Sequence, residues 1–295
     1  MTAIKVEQLC KSYGHQQVLH NVDLSVGRGK LVGFLGPNGA GKTTTIRILL
    51  GLLASNSGIA EIFGQNCKTH GKRLRAEVGY LPGDVHFYPN LTGRATLKFF
   101  ANARRKPAAD EIVRLAKVFN LELDKTVRRY STGMRQKLGL IQALMHKPKL
   151  LILDEPTSGL DPLIRKSVFE ELRNVVREGR TVLFSSHSLD EVEELCDEVV
   201  ILRDGRIVEH QKIETLRARA LKRVEITFKG NRLSPASFPD RLQVLHQEDG
   251  KVHGTWTGEM EALLTWLRDY PVHDLIIEKP DLNDLFITYY AQDGK

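Results

Sequence analysis

The chain of 295 residues is poor in most features that mark special protein classes. Its three cysteines, Cys10, Cys67 and Cys196, are scattered and form no disulfide framework, which fits a reducing cytosol. Long apolar runs are missing. The longest stretch free of Asp, Glu, Lys and Arg, Ile48 to Ala60, is 13 residues and is broken by Gly51, Asn56 and Gly58. A bilayer-crossing helix needs roughly 18 to 20 apolar residues, so no span is expected. The first ten residues carry Lys5 and Glu7 and no continuous apolar segment, so no signal peptide is expected either. Glycine (24) and proline (11) are too few for a collagen-like or low-complexity chain. What remains is ordinary: 41% hydrophobic residues, sufficient for a sizeable core, in a length that suggests one large domain and a smaller one.

Charge is uneven. The net +7 comes from residues 1–220, with 34 Lys/Arg against 24 Asp/Glu, whereas residues 221–295 hold 9 against 12. The basic excess is spread thinly and has no aromatic interleaving, so it reads as a solvated surface. A phosphate-binding or anionic-membrane contribution stays open.

Ile4–Leu9 and Val18–Val26 alternate as strands, with turns at Tyr13–Gly14 and Gly27–Gly29. Leu31–Leu35 is a short apolar strand running into a glycine-rich loop, and Thr43–Leu53 reads as a helix. From Asp84 to Lys149 helical spacing dominates, at Leu91–Ala103, Ala108–Phe119 and Met134–His146. Strand and helix then alternate: Leu150–Leu153, Pro162–Arg177, Thr181–Ser185, Leu189–Cys196, Glu198–Leu202. Such alternation predicts a parallel sheet covered on both faces. Gln211–Lys222 is a charged, helical connector. Beyond it come a strand at Val224–Phe228, an amphipathic helix at Glu259–Tyr270, a strand at Leu275–Glu278 and a helix at Leu282–Tyr290. In the amphipathic helix Leu263, Trp266, Leu267 and Tyr270 share one face, and Pro271 ends it.

The strongest chemical signal is Gly36-Pro37-Asn38-Gly39-Ala40-Gly41-Lys42-Thr43, which fits G-x-x-x-x-G-K-[ST] between a strand and a helix. Glycines let the backbone wrap a β- or γ-phosphate, consecutive N–H groups and a helix N-terminus point at the anion, Lys42 neutralises its oxygens and the Thr43 hydroxyl can ligate Mg²⁺. A second signal is Leu150-Leu151-Ile152-Leu153-Asp154-Glu155, two acids just past a buried strand, where ligands of parallel sheets bind. Asp154 suits metal binding and Glu155 suits polarising an attacking water.

With these in place, the sequence over roughly residues 4–210 resembles the ATP-binding subunits of ATP-binding-cassette (ABC) transporters. Tyr130-Ser131-Thr132-Gly133-Met134-Arg135-Gln136 is similar to the family signature L-S-G-G-Q, with Thr132 and Met134 departing from it. Ser131 also reads as a helix N-cap. Ser158-Gly159-Leu160-Asp161 resembles the D-loop at the family's dimer seam, although Asp161 before Pro162 is equally readable as a simple N-cap. His187 in Ser-Ser-His-Ser resembles the family's switch histidine, and Tyr13 the aromatic that stacks on adenine. One departure concerns chemistry: Gly83 stands where the family normally has a metal-contacting Gln, so Asp84 or water would substitute, or the contact is dispensed with. Phe87-Tyr88-Pro89 lies where family members receive a coupling helix.

The resemblance implies an α/β fold: a P-loop NTPase cassette with a mixed, largely parallel sheet and a helical subdomain (about 85–149) over residues 1–220, then a small α+β domain over 221–295. It implies an ATPase using ATP and Mg²⁺, with Glu155, His187 and Lys42 catalytic and Thr43 and Asp154 at the metal. Nucleotide contacts fall to Tyr13, residues Gly36 through Thr44, and Ser131, Gly133 and Asp161. Since no span is expected, separate integral membrane permease subunits are implied. A second ATP-binding subunit, forming a homodimer, and a peripheral site on the cytoplasmic face of the membrane complete the expectation. The 221–295 tail resembles extensions of exporter-type (ABC-2) cassettes and leans the expectation toward export. The alternative is a soluble ABC ATPase acting on the ribosome or nucleic acid. Such proteins usually carry two cassettes or a long coiled-coil insertion, and neither is present in this sequence, so no nucleic-acid partner is expected.

Overall fold

The computed structural model describes residues 1–219, 222–229 and 238–278. Chain order begins β1 (Thr2–Tyr13), β2 (Gln16–Gly27), β3 (Leu31–Leu35), α1 (Lys42–Leu49), β4 (Ser57–Ile62), β5 (Gln65–Asn66), α2 (Cys67–Glu77) and β6 (Val78–Leu81). A helical stretch follows: α3 (Gly93–Arg104), α4 (Ala109–Val118), a single 3₁₀ turn at Val127–Arg129, and α5 (Thr132–Leu144). Alternation then resumes with β7 (Leu150–Asp154), α6 (Pro162–Arg177), β8 (Thr181–Ser186), α7 (Leu189–Leu195), β9 (Glu198–Arg203) and β10 (Arg206–Lys212). After α8 (Ile213–Arg219) come β11 (Lys222–Phe228), β12 (Leu242–Glu248), β13 (Lys251–Trp256), α9 (Met260–Leu267) and β14 (Val272–Ile277). The chain divides into two compact units, Met1–Ile213 and Glu214–Lys295. The expected boundary at 220/221 and the expected helix Leu282–Tyr290 lie outside the described residues.

In the first unit a six-stranded sheet runs β10-β9-β3-β8-β7-β6. All its neighbours are parallel except β10, which turns back antiparallel on β9. β3 and β7 are buried at every position, as expected of strands covered on both faces. The register aligns Leu35 with Ser186 and Asp154 with Ser185, so β3, β7 and β8 end at one edge of the sheet. That alignment positions the site. A second, antiparallel sheet, β2-β1-β4-β5, packs its apolar face (Ile4, Val6, Val22, Leu24) into the same core as Phe34, Ile46, Leu150 and Ile152. The mixed, largely parallel sheet and the helical segment after β6 agree with the fold expected from sequence.

Several elements escaped the sequence reading. β4 lay unrecognised because Gly58, at φ +82, disrupts its alternation; a Cβ there would stand 2.3 Å from the Gln8 carbonyl oxygen. α2 is too charged to show a strong apolar stripe, and it starts on Asn66, whose side chain accepts from Lys68 and Thr69 N–H. Expected to run to Leu53, α1 ends at Leu49 instead. Gly51 (φ +61) turns the chain where α2 crosses, a Cβ there falling 2.5 Å from the Cys67 carbonyl oxygen. β10, β12 and β13 were likewise not foreseen.

The second unit pairs four antiparallel strands, β12-β13-β11-β14. Leu263 and Leu267 of α9 are buried with Val224, Ile226, Val252 and Trp256, and Trp266 and Tyr270 pack beside them, the face expected from helical spacing. No helix among the described residues is long and apolar enough to cross a membrane.

Just past the C-terminal end of α5, His146 is buried. Burial, reinforced by the charges of Arg104 and Lys106, lowers its pKa from 6.5 to about 4. The folded state therefore holds His146 neutral while the unfolded chain takes up a proton near 6.5. Stability from this group is complete above pH 6.5 and is lost as pH falls toward 4, a change of about 3 kcal/mol. Chemical denaturation of the wild type at pH 7.5 and pH 4.5 is expected to show this loss. In His146→Leu the loss shrinks, and an unchanged pH slope in that variant assigns it to other groups.

Candidate functional site

The Gly36–Thr43 loop links the end of β3 to α1. Gly36 must be glycine because a Cβ there would stand 2.3 Å from the Leu202 carbonyl oxygen of β9, and Gly41 takes φ +107 at the N-cap of α1. No side chain caps α1 and no acid lies in its first turn, so its N–H groups and positive dipole end are left for an anion. Lys42 is only 6% exposed. Its Nζ donates to the Gly36 carbonyl at 2.5 Å and the Pro37 carbonyl at 3.2 Å, folding the ammonium across the loop.

Across from the loop, Asp154 at the end of β7 is 2% exposed. Its Oδ2 accepts from Thr43 Oγ1 at 2.7 Å and its Oδ1 from Ser185 Oγ at 2.5 Å. Glu155 leaves the strand with φ +49. Its Oε2 lies 2.8 Å from His187 Nδ1, its Oε1 3.5 Å from Lys42 Nζ, and Oε1 is buried without a hydrogen bond. A buried carboxylate oxygen that lacks a donor, beside an ammonium and a helix N-terminus, suits a water that donates to it.

Lys42, Thr43, Asp154 and Glu155 face a cleft of about 390 Å³, lined also by other loop residues, Tyr13, Gln16 and Gly83, while His187 joins them through Glu155 without lining the cleft itself. Tyr13 is 46% exposed and Lys11 Nζ stands 5.2 Å from its ring centroid. The donor set fits Mg²⁺: a hydroxyl and a carboxylate, both hard oxygen ligands, lie side by side and leave the other positions to phosphate oxygens and water. At Gly83 a Cβ would stand 3.6 Å from Asp154, so the backbone places this residue beside the acid with room for a side chain that glycine lacks. Asp84 does not fill that place. Its carboxylate is 89% exposed, pairs with His86 Nδ1 at 3.4 Å and lines a neighbouring cavity. Tyr80 on β6 is pushed up to about 12 by burial and then by the charge of Asp154, so it stays neutral beside the acids.

The remaining sequence candidates form a second group. Ser131 caps α5, its Oγ accepting from Met134 N–H at 3.2 Å. Gly133 packs on the Ser158–Asp161 loop, where a Cβ would lie 2.7 Å from the Gly159 carbonyl oxygen. Asp161 caps α6 by accepting from Ile164 N–H at 3.0 Å, with Pro162 at the first helical position. None of Ser131, Gly133 and Asp161 lines the cleft around Lys42. Two residues that the sequence did not single out join the first group: Ser185 of β8 and Gln136 of α5, whose Nε2 donates to the Glu155 carbonyl at 3.0 Å. Ser185-Ser186 at the end of an otherwise apolar strand was a usable signal; Gln136 stands in the signature-like segment Tyr130–Gln136, but nothing local gives it a role at Glu155.

Known proteins similar to this chain carry one family description. A family described as "ABC transporter" matches residues 19–158. An uncharacterised ABC transporter ATP-binding protein of Bacillus subtilis, YdbJ, is 45% identical over 208 residues, covering 69% of this chain and 67% of its own. The bacitracin transport ATP-binding protein BcrA of Bacillus licheniformis is 41% identical over 228 residues, covering 76% and 74%. Among solved structures, an ATP-binding subunit of an ABC transporter superposes with a TM-score of 0.68 at 33% identity, over 74% of this chain and 92% of its own.

Proposed function

Because the chain belongs to the ATP-binding subunits of ABC transporters, the ATP-hydrolysing part of such a machine, we propose a specific division of labour around its cleft. The observation that carries the reading is the convergence of Lys42, Thr43, Asp154, Glu155 and His187 at the aligned ends of three adjacent strands. Loop N–H groups and Lys42 bind the β- and γ-phosphates of ATP, and Tyr13 offers its ring to the base. Thr43 and Asp154 hold Mg²⁺, which when bound neutralises phosphate charge. Glu155 Oε1 orients a water and takes its proton as the water oxygen attacks the γ-phosphorus and ADP departs. His187 steadies the carboxylate through Oε2 and reaches the transferred phosphate.

Ser131, Gly133 and Asp161 lie away from their own cleft, so a second ATP-binding subunit, opposed head to tail, brings them to the nucleotide. In this reading ATP closes the pair and hydrolysis opens it. Force passes to separate membrane subunits through the apolar surface after β6. There Phe87, Phe99, Phe100 and Tyr88 form an edge-to-face aromatic chain with Tyr88 61% exposed, beside a cavity of about 210 Å³. The chain sits peripherally on the cytoplasmic face of the membrane, its first unit as the cassette and its second as an accessory domain. The similarity to a protein of Ralstonia nicotianae named as a Nod factor export ATP-binding protein supports export as the direction.

Isolation of the native complex in mild detergent is expected to bring down an integral membrane polypeptide. Tyr88→Asp should weaken that recovery at unchanged protein level. Recovery of only RNA or ribosomes overturns this reading in favour of a soluble ATPase.

A further inference from the structure

Glu155 adopts a backbone conformation its sequence context disfavours. It is a non-glycine residue at φ +49, and it immediately precedes Pro156, whose ring pushes the residue before it toward extended geometry. Conformations of this kind persist only where the surroundings over-determine them. Both peptide groups flanking the residue are in fact held by side chains. Glu155 N–H donates to Ser185 Oγ at 3.1 Å, and the Glu155 carbonyl accepts from Gln136 Nε2 at 3.0 Å and, within its own turn, from Ser158 N–H at 3.2 Å. Ser185 is fully buried and Gln136 is 5% exposed, so water offers no easy substitute for either side chain, and without Gln136 the carbonyl is left with the local Ser158 N–H alone. Other left-handed residues of the chain, such as Asp204 and Asp249, precede glycines in turns.

We infer that Ser185 and Gln136 are positioning residues that clamp the strained backbone of Glu155 and so aim its carboxylate at the attacking water. This rests on the reading of Glu155 as the base. Ser185 serves a second acid as well, because its hydroxyl proton goes to Asp154 Oδ1 while its oxygen accepts from Glu155 N–H. Gln136 touches Glu155 from the helix that Ser131 caps and that carries Gly133. The orientation of the hydrolytic carboxylate is thereby tied to the helical segment that carries the signature sequence.

The two contacts differ, and that makes the inference testable on the full-length chain. Gln136→Met keeps length and volume but removes the donor. It should lower kcat about 10-fold, the scale on which small misplacements of reacting groups act, with KM for ATP and the thermal midpoint nearly unchanged. Its Mg²⁺ requirement should match the wild type. Ser185→Ala should lower kcat similarly and also raise the Mg²⁺ concentration needed for half-maximal rate, because Asp154 loses the donor that fixes its Oδ1 and keeps only Thr43. Should Ser185→Ala fail to fold, Gln136→Met decides the matter alone, with the isosteric Gln136→Glu, which sets an acceptor against the carbonyl, as a second variant expected to be slower still. Wild-type kcat in both Gln136 variants, with Glu155→Gln inactive, overturns the clamp and leaves Glu155 as base. Normal turnover in Glu155→Gln instead removes the base and the clamp together.

Discussion

Glu155→Gln is expected to lower ATP turnover by about 10²- to 10⁴-fold, the range that a positioned general base contributes, while ATP binding persists. The substitution is nearly isosteric and keeps an acceptor oxygen, so the backbone contacts to Ser185 and Gln136 and the local packing survive. What disappears is the ability to take a proton. The carboxylate oxygen concerned, Oε1, is the one that is buried without a hydrogen bond and 3.5 Å from Lys42, whereas Oε2 is engaged by His187. Steady-state phosphate release, read beside equilibrium binding of a fluorescent ATP analogue, separates the two effects. Since hydrolysis is proposed to open the closed pair, the variant should also accumulate as an ATP-dependent dimer in size-exclusion chromatography. Turnover at the wild-type rate would falsify the assignment of Glu155.

Lys42→Ala is expected to weaken ATP binding by roughly 100-fold, corresponding to about 3 kcal/mol for the loss of charge-assisted hydrogen bonds to phosphate. The expectation follows from where the ammonium sits. It is 6% exposed and held by two loop carbonyls, with a single carboxylate oxygen at 3.5 Å, so its charge is available to an incoming anion at little reorganisation. Lys42→Arg should not restore binding, because a planar fork does not fit a nearly closed site shaped for a compact ammonium. The dissociation constant of the same fluorescent analogue reads both variants. An affinity within a factor of two of the wild type in Lys42→Ala would take the phosphate-binding role away from this residue.

Legibility followed the range of the interactions. β3, α6 and β8 were found to within a residue because each is an uninterrupted apolar or amphipathic run bounded by glycine, proline or a cap. The spacing of Gly36, Gly41, Lys42 and Thr43 marked the loop for the same local reason. β4 and α2 were missed, one because a glycine bulge breaks its alternation and the other because its outward charges hide a narrow buried stripe at Cys67, Gly71 and Leu74. Asp84 was a reasonable sequence substitute for the residue absent at Gly83, yet its side chain turns to His86, a local partner that primary structure does not rank.

By itself, then, the sequence determined the chemistry available: a phosphate-wrapping loop with its Lys and Thr, two acids at a buried strand end, a histidine past the next strand and two capped helices. These signals are set by neighbours within a turn or a strand, and such patterns are written locally. Tertiary structure decided which of them meet. Thr43 reaches Asp154 across 111 residues and Ser185 reaches it across 31, and both contacts exist because β3, β8 and β7 lie side by side in one register. The left-handed turn at Glu155, its grip by Ser185 and Gln136, and the separation of Ser131 and Asp161 from the cleft are consequences of strand order and helix packing. No local pattern encodes them, because each depends on which distant backbone a side chain is pressed against.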